Sequence, residues 1–158
     1  MCLVCGVQNA LGLRGRFYEL EPHDGEGPAL LGVFTVREEH QSYPGRLHGG
    51  ISSAILDETI GRAIIMDEPG AWGVTAELTV RYRRPVPTEG EIRAVGRITR
   101  NTRRLFEGSG HIVLEDGTVA VEATGRYVKM SIGDIAGDDF DVAEWVPDER
   151  ERPDEVEL

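Results

Sequence analysis

The segment that most constrains the fold spans residues 43–66. It opens with a Tyr-Pro-Gly turn and a glycine pair, and it continues as the longest helix-compatible apolar run in the sequence. From about Gly49 to Met66 the apolar residues recur at helical spacing and cover most of the helix circumference. The Asp-Glu-Pro-Gly sequence at residues 67–70 ends the run. We therefore predict one long central helix that the rest of the chain encloses.

The segments on either side of this helix have the pattern of strands and turns. Two strand-like runs precede the helix and four follow it, at residues 13–20, 30–36, 74–84, 92–99, 105–114 and 119–130. In the third run, alternation predicts that Val74, Ala76, Leu78, Val80 and Tyr82 share one face. One helix against a mostly antiparallel sheet of about six strands predicts an α+β domain. A curved single sheet also leaves an edge strand, which pairing in a dimer would cover.

The length and the charge distribution predict one domain and an acidic tail. The 158 residues suit one domain with a core, which we place at residues 1–130. The net charge is −11, and residues 133–158 alone contain 11 acidic and two basic residues. We expect residues 131–158 to be a partly disordered tail, ordered at most around Phe140 and Trp145.

The same composition excludes several classes of partner and location. An overall acidic chain argues against nucleic-acid binding. No apolar run is long enough to span a membrane, so no membrane association is predicted. The N-terminus lacks a basic region followed by an apolar one, so it is not a secretory signal. We therefore expect a cytoplasmic protein.

Cys2 and Cys5 form a single Cys-x-x-Cys pair at the start of the chain. Zinc usually needs four ligands, and no second pair of this kind follows in the sequence. We interpret the two thiols as a reduced, structurally incidental pair. The alternative is a metal site that is completed by His23 or by another subunit.

Two features of the central helix could support catalysis. Gly49 and Gly50 lie at its start, where the first N–H groups carry the positive end of the helix dipole and can hold a developing oxyanion. The alternative is that they only permit tight packing. Asp57 lies about two helical turns further along, among apolar residues. Burying a carboxylate there costs free energy unless it is paired or hydrogen-bonded, which suggests a functional role. The alternative is a structural acid that is satisfied by a local hydrogen bond. Glu58 is the competing acid, four residues before Arg62.

The spacing of these two features limits how they could act together. Eight residues separate Gly49 from Asp57, which corresponds to about 12 Å along an α-helix. A polarising amide and an attacking or basic carboxylate must both come within about 3–3.5 Å of one reacting group. If both act on one substrate, the amide therefore comes from one subunit and Asp57 from its neighbour.

Three stretches of the sequence resemble a known family. His48-Gly-Gly followed by Asp57 is similar to the helix motif of the hot-dog acyl-CoA thioesterases, in particular the phenylacetate-pathway (PaaI-like) branch. The opening Cys2-x-x-Cys-Gly-x-x-Asn-x-x-Gly-Leu13 resembles that of many family members. The segment at residues 73–82, followed by Pro85, resembles the strand after the family helix. The resemblance covers about residues 1–130 and implies a hot-dog fold.

The resemblance also implies roles for individual residues. Gly49 would hold the thioester carbonyl oxygen, and Asp57 would be the nucleophile or the general base. Thr75 would orient the water or the carboxylate, and His48 would be an orienting residue. No metal or cofactor is implied. The side chains or backbone groups expected to contact the substrate are Gly50, Gln41, Ser42 and Glu58. Ser42 departs from the family pattern, where an Asn is frequent, so whether Gln41 takes its place stays open.

Acyl-CoA also requires a group that binds its phosphates. The densest basic cluster is Arg100, Arg103 and Arg104, which we expect at the turn between two strands. A second candidate is the group Arg81, Arg83 and Arg84. The alternative for both clusters is that they are solvated charges at strand ends.

These observations lead to three hypotheses on function. The first is an acyl-CoA thioesterase that forms a homodimer with shared active sites, or a tetramer built as a dimer of dimers. The second is a non-catalytic hot-dog module that binds acyl-CoA or lipid. The third is a metal or redox protein built on Cys2 and Cys5.

Overall fold

The computed structural model describes residues 2–22 and 27–137. Eight strands, three helices and a 3-10 turn at Glu38–His40 make up this part of the chain. The strands are β1 (Arg16–Leu20), β2 (Ala29–Thr35), β3 (Gln41–Tyr43), β4 (Arg46–Leu47), β5 (Trp72–Tyr82), β6 (Glu91–Asn101), β7 (Leu105–Val113) and β8 (Val119–Met130). The helices are α1 (Gly49–Arg62), α2 (Ile64–Asp67) and α3 (Ile132–Ala136).

Six of the strands form one antiparallel sheet in the order β1-β2-β6-β7-β8-β5. The short strands β3 and β4 pair with each other and lead into α1. Helix α1 lies across one face of the six-stranded sheet. The predicted order of two strands, one helix and four strands is confirmed, and so is the α+β hot-dog fold.

Glycines in the sheet allow α1 to lie close to it. A Cβ added at Gly96 would lie 2.7 Å from the backbone oxygen of Thr59 on α1. Additions at Gly108 and Gly110 would meet the Ile60 side chain at 2.5 and 2.8 Å. The Ile60 side chain of α1 is fully buried against the sheet. The close contact between α1 and the sheet therefore requires glycine at these positions of β6 and β7.

The predicted helix differs from the observed one in length. Helix α1 ends at Arg62, and after Ala63 the short helix α2 follows. The Ala63 N–H is shared between the carbonyl oxygens of Thr59 and Ile60, which breaks the regular hydrogen-bond pattern. In the described chain only one face of α1 is buried, because a single sheet covers one side of a helix. Of the other α1 residues only Gly50 is exposed and the rest are half-buried, which agrees with the expectation of a mostly enclosed helix.

A β-bulge corrects the predicted face of β5. The register between β5 and β8 shifts between Thr75 and Glu77, so Ala76 is the extra residue. Thr75 pairs with Tyr127, and Leu78 pairs with Gly125, two positions further along the same face of β8. The bulge therefore places Thr75, rather than Val74 and Ala76, on the helix-facing side with Leu78.

The structure extends slightly beyond the predicted domain boundary at residue 130. The short helix α3, which the sequence analysis did not predict, begins at Ile132 with the Ser131 side chain accepting a hydrogen bond from the Asp134 N–H at 3.1 Å. The predicted order around Phe140 and Trp145 concerns residues outside the described part of the chain. The domain boundary and the tail therefore stay predictions.

Candidate active site

The start of α1 is fixed by His48, the residue before the first helical turn. Its Nδ1 accepts a hydrogen bond from the Gly50 N–H at 2.9 Å, as an N-cap side chain does. Its own backbone N–H donates to the His40 carbonyl oxygen at 2.9 Å. His48 is therefore held on both sides. An imidazole that accepts through Nδ1 is suited to orienting the helix start, because taking a proton there would break the cap.

Gly49 presents the backbone amide that remains available at this helix end. Within residues 2–22 and 27–137, the Gly49 N–H donates to no acceptor, whereas the Gly50 N–H is occupied by His48. An unpaired first-turn amide at the positive end of a 14-residue helix can donate to an oxygen that gains negative charge. The sequence prediction for Gly50 as a substrate contact is weakened by this occupied amide, and it stays untested.

Tyr82 joins the end of β5 to the first turn of α1. Its hydroxyl donates to the Gly49 carbonyl oxygen at 2.9 Å and lies 2.7 Å from Ser53 Oγ. The sequence analysis assigned no site role to Tyr82 or Ser53. Their contact joins residues that are 29 positions apart. Local sequence patterns carry no signal for such a pairing, so only the fold reveals it.

Asp57 lies half-buried in the middle of α1 and faces β5. Its Oδ1 accepts a hydrogen bond from Thr75 Oγ1 at 2.8 Å. This contact brings together two of the predicted catalytic residues, and the β5 bulge described above makes it possible. One carboxylate oxygen is thereby oriented by Thr75, and the other is left to act on a substrate or a water molecule.

Tyr127 of β8 contacts the backbone of α1 at Asp57. Its hydroxyl donates to the Asp57 carbonyl oxygen at 3.2 Å, and its ring stacks on Phe106 with centroids 4.8 Å apart. Burial, followed by the negative charge of Asp57, raises the pKa of the Tyr127 hydroxyl well above its usual range. Tyr127 therefore remains a neutral hydrogen-bond donor that fixes the helix position.

Glu58 points to a different neighbourhood from Asp57. Its carboxylate pairs with Arg62 at 2.6 Å, one helical turn later. Arg62 also lies 3.5 Å from Cys5 Sγ and 4.4 Å from the centre of the Phe17 ring. The two acids therefore face different parts of the chain: Asp57 faces Thr75, and Glu58 faces the N-terminal segment. The substrate-binding role predicted for Glu58 stays untested.

The two cysteines of the N-terminal segment have pKa values shifted in opposite directions. A hydrogen bond from Cys5 lowers the pKa of Cys2 to about 5, and the backbone N–H groups of Cys5 and Val4 act in the same direction. The same side-chain hydrogen bond, together with burial, raises the pKa of Cys5. The Cys2 thiol therefore loses its proton more readily than the Cys5 thiol.

The other predicted substrate contacts lie away from Asp57. Gln41 Oε1 accepts the Gly45 N–H at 3.1 Å within its own turn, and both Gln41 and Ser42 are exposed. Arg100 lies 3.6 Å from Glu107, and Arg103 and Arg104 are exposed in the turn between β6 and β7. The structure does not bring these residues into contact with Gly49 or Asp57, and their roles stay predictions.

Two surface concavities lie on the face of the sheet opposite α1. Their volumes are about 410 and 450 Å³, and both are lined by Thr79 and Thr124. Neither includes Gly49 or Asp57. The half-buried Asp57 is therefore reached from the open side of α1 rather than from these concavities.

Fold and site together define a hot-dog domain that carries a carboxylate on its central helix. The family model described as thioesterase superfamily matches residues 44–121, which include the whole of α1 and β5. The predicted resemblance to the thioesterase superfamily is thereby confirmed, and so is the predicted class, a thioester hydrolase. The phenylacetate-pathway branch stays a prediction.

Individual relatives agree with this assignment. Acyl-coenzyme A thioesterase 13 of Mus musculus is 29% identical over 100 residues, which are 63% of this chain and 71% of that protein. A crystal structure of a thioesterase superfamily protein is 32% identical, with a TM-score of 0.65 over 77% of this chain and 59% of its own. A Bacillus halodurans protein solved with CoA has the same fold, with a TM-score of 0.58 and 23% identity over 63% of this chain and 66% of its own.

The lengths of the described helices bear on the prediction that the chain has no membrane span. None of those within residues 2–22 and 27–137 is long and apolar enough to cross a membrane. The expected cytoplasmic location stays a prediction.

Proposed function

We propose that this protein is an acyl-CoA thioesterase, which hydrolyses an acyl-CoA to a free acid and CoA. The observation that carries the proposal is the Asp57 carboxylate, which Thr75 orients on the central helix of a thioesterase-superfamily domain. The name of the mouse relative, an acyl-coenzyme A thioesterase, and the CoA bound to the Bacillus halodurans protein point to the same substrate class.

The chemistry assigns separate tasks to the two ends of this helix segment. The Gly49 N–H donates to the thioester carbonyl oxygen and stabilises the negative charge that forms on it. Asp57 either takes a proton from the attacking water or attacks the carbonyl carbon itself. If water attacks, the carbon–sulfur bond breaks to give the free acid, and the proton taken by Asp57 passes to the CoA sulfur, which leaves as the thiol. If Asp57 attacks, the same bond breaks to leave an acyl–Asp57 anhydride; water then hydrolyses the anhydride to the free acid, and a proton from that water neutralises the CoA thiolate. His48 and Tyr82 act as positioning residues, because both hold the backbone around Gly49.

Two chains are needed to build one such site. Gly49 and Asp57 lie on one continuous helix, with about 12 Å between them along its axis. Within one chain they are therefore too far apart to act on the same carbonyl group. We propose a homodimer in which Gly49 of one chain and Asp57 of the other face the same thioester.

The edge strand β5 provides the geometry for this dimer. Within the described sheet β5 pairs with β8 alone, so its other edge is open to a second chain. Tyr82, at the end of β5, contacts Gly49, and Thr75, near its start, contacts Asp57. Antiparallel pairing of two β5 edges brings the start of one strand beside the end of the other. It therefore brings Asp57 of one chain towards Gly49 of its partner.

A mixed dimer tests this sharing directly. Gly49→Pro removes the amide hydrogen and suits the first position of a helix, and the extended backbone of His48 tolerates a following proline. We expect Gly49→Pro and Asp57→Asn each to inactivate the homodimer, with a loss of about 100-fold or more. Co-expressed chains, one variant each, should regain activity, because one of the two sites then combines an intact Gly49 with an intact Asp57.

The alternative arrangement gives the opposite result in the same experiment. If each site used Gly49 and Asp57 of one chain, both sites of the mixed dimer would carry a defect. Affinity tags of different kinds on the two chains isolate the mixed species before the assay. Purified mixed dimers without regained activity would contradict the shared site.

Thr75→Val tests the hydrogen bond that orients Asp57. The change keeps the shape and the β-branching of the side chain but removes its donor. Since hydrogen bonds to charged groups contribute about 1.5–3 kcal/mol, we expect kcat to fall about tenfold or more. Thr79→Val is the matched control, because Thr79 lies on the opposite face of β5 and pairs with Thr124. Equal kcat values for the two variants would contradict the role of Thr75.

Release of free thiol from a panel of acyl-CoAs tests the function as a whole. Short, medium, long and aromatic acyl groups should be assayed beside the Asp57→Ala variant. Turnover that disappears in this variant would establish the thioesterase and identify its acyl class. CoA esters that raise the melting temperature without turnover would instead support the non-catalytic binding module.

A further inference from the structure

Three metal-binding side chains meet where the N-terminal segment lies against α1. The Cys2 and Cys5 sulfurs and a carboxylate oxygen of Glu58 all lie within 4.8 Å of one another. We propose that Cys2, Cys5 and Glu58 bind a zinc-type divalent transition-metal ion at a site separate from the thioester site. The proposal depends on this geometry and is independent of the proposed acyl-CoA chemistry.

The backbone of residues 2–6 forms a turn that suits two metal-bound sulfurs. Cys2 Sγ accepts the Val4 N–H at 3.3 Å and also the Cys5 N–H. The Gly6 N–H donates to the Cys2 carbonyl oxygen at 3.1 Å and closes the turn. Backbone N–H groups directed at a sulfur stabilise its thiolate form and fix its orientation, as outer partners of metal ligands do. Thiolates are ligands that zinc prefers.

The charges around the site balance when the ion is divalent. Two thiolates and one carboxylate contribute three negative charges. Arg62 contributes one positive charge close to both ligand types, at 2.6 Å from Glu58 Oε1 and 3.5 Å from Cys5 Sγ. A divalent ion supplies the other two. Arg62 donates to Glu58 Oε1 through both Nε and Nη2, and a carboxylate oxygen of Glu58 lies within 4.8 Å of both sulfurs.

The structure changes the ligand set that the sequence suggested. The sequence analysis considered a metal site completed by His23 or by another subunit. His23 lies outside the described residues, and the fold instead brings up Glu58, which is more than 50 residues away from the cysteines in the sequence. Among the described residues the site offers three ligands, and the exposed Cys2 leaves a fourth position open to solvent.

A bound metal would connect the N-terminal segment to the catalytic helix. Glu58 directly follows Asp57 on α1, whereas Cys2 and Cys5 belong to the segment that packs beside it. Occupancy therefore restrains the helix one residue from the catalytic carboxylate. We infer a structural role for the ion, which should show as an increase in the melting temperature on metal binding.

Cobalt(II) titration of the full-length protein tests the site. The protein is first treated with a chelator and kept reduced with a phosphine. We expect one equivalent of Co²⁺ per chain and a thiolate-to-cobalt charge-transfer band in the near ultraviolet, with Zn²⁺ displacing the cobalt. Cys2→Ser should weaken the band, because one of two thiolates is lost, and the double variant Cys2→Ser/Cys5→Ser should abolish it. Glu58→Gln should weaken the affinity at least about tenfold. Glu39→Gln, at an exposed acid elsewhere, should bind like the unaltered protein.

Several outcomes would overturn the proposal. One is cobalt binding without a charge-transfer band, or with a band of full intensity in Cys2→Ser or any band in the double variant Cys2→Ser/Cys5→Ser. Another is fully reduced protein that takes up no metal. Circular dichroism of Cys2→Ser separates a lost ligand from a lost fold. A zinc-induced rise in melting temperature that is unchanged in a natively folded Cys2→Ser protein would also refute the site.

Discussion

The Asp57→Asn variant should lose at least about 100-fold in kcat for thioester hydrolysis while keeping its fold. Asparagine has the shape of aspartate, and its Oδ1 can still accept the hydrogen bond from Thr75 that holds the side chain at 2.8 Å. What the change removes is the charge that takes a proton from water or attacks the carbonyl carbon. The loss should therefore appear in kcat, measured by thiol release, with an unchanged thermal unfolding curve.

A second acid on the same helical segment serves as the control for this variant. Asp67 is exposed at the end of α2, so Asp67→Asn should change neither kcat nor stability noticeably. Asp57→Ala should lose activity to a similar extent as Asp57→Asn. Near-normal turnover in either Asp57 variant, with normal folding, would refute the catalytic role of this carboxylate.

The Gly96→Ala variant should lower the free energy of unfolding by about 2–3 kcal/mol. In an exposed strand position alanine is at least as favourable as glycine, so the strand alone predicts no loss. At Gly96, however, the new Cβ would lie 2.7 Å from the Thr59 carbonyl oxygen and 3.1 Å from the Ile60 nitrogen on α1. Backbone atoms cannot rotate away as a side chain can, so the helix must move off the sheet. Urea unfolding measures the loss.

Gly27→Ala is the matched control, because a Cβ at Gly27 meets no atom of residues 2–22 or 27–137 within 4 Å. We expect its unfolding free energy to stay within about 0.5 kcal/mol of the unaltered value. If both variants unfold alike, the close contact between β6 and α1 does not limit stability. Since a shift of α1 also displaces Asp57 relative to Thr75, Gly96→Ala should in addition reduce kcat.

The order and type of the main elements could be predicted from the sequence because they depend on local periodicity. The six strands of the main sheet and the start of α1 at Gly49 agree with alternation and helical spacing along the chain. The candidate site was predictable for a similar reason. His48, Gly49 and Asp57 lie within ten positions of one another in the sequence, and the spacing of Gly49 and Asp57 along α1 underlies the proposed two-chain site.

Contacts between distant segments could not be predicted in this way. The bulge at Ala76 reverses the alternation of β5, and a strand pattern read residue by residue cannot reveal an extra residue that only the pairing with β8 defines. Without the bulge, Thr75 would face away from Asp57. The sequence analysis missed Tyr82 and Ser53 because they are 29 positions apart and meet only where β5 packs against α1.

The sequence by itself therefore determined the class of fold, the central helix and the acid that helix carries, because short-range spacing decides which side chains share a face. The tertiary structure alone decided the direction in which each acid points. Asp57 reaches Thr75 on the sheet, whereas Glu58 reaches Arg62 beside the N-terminal cysteines. Adjacent residues on a helix are rotated by about 100° from each other, so packing against different segments separates them into two different sites.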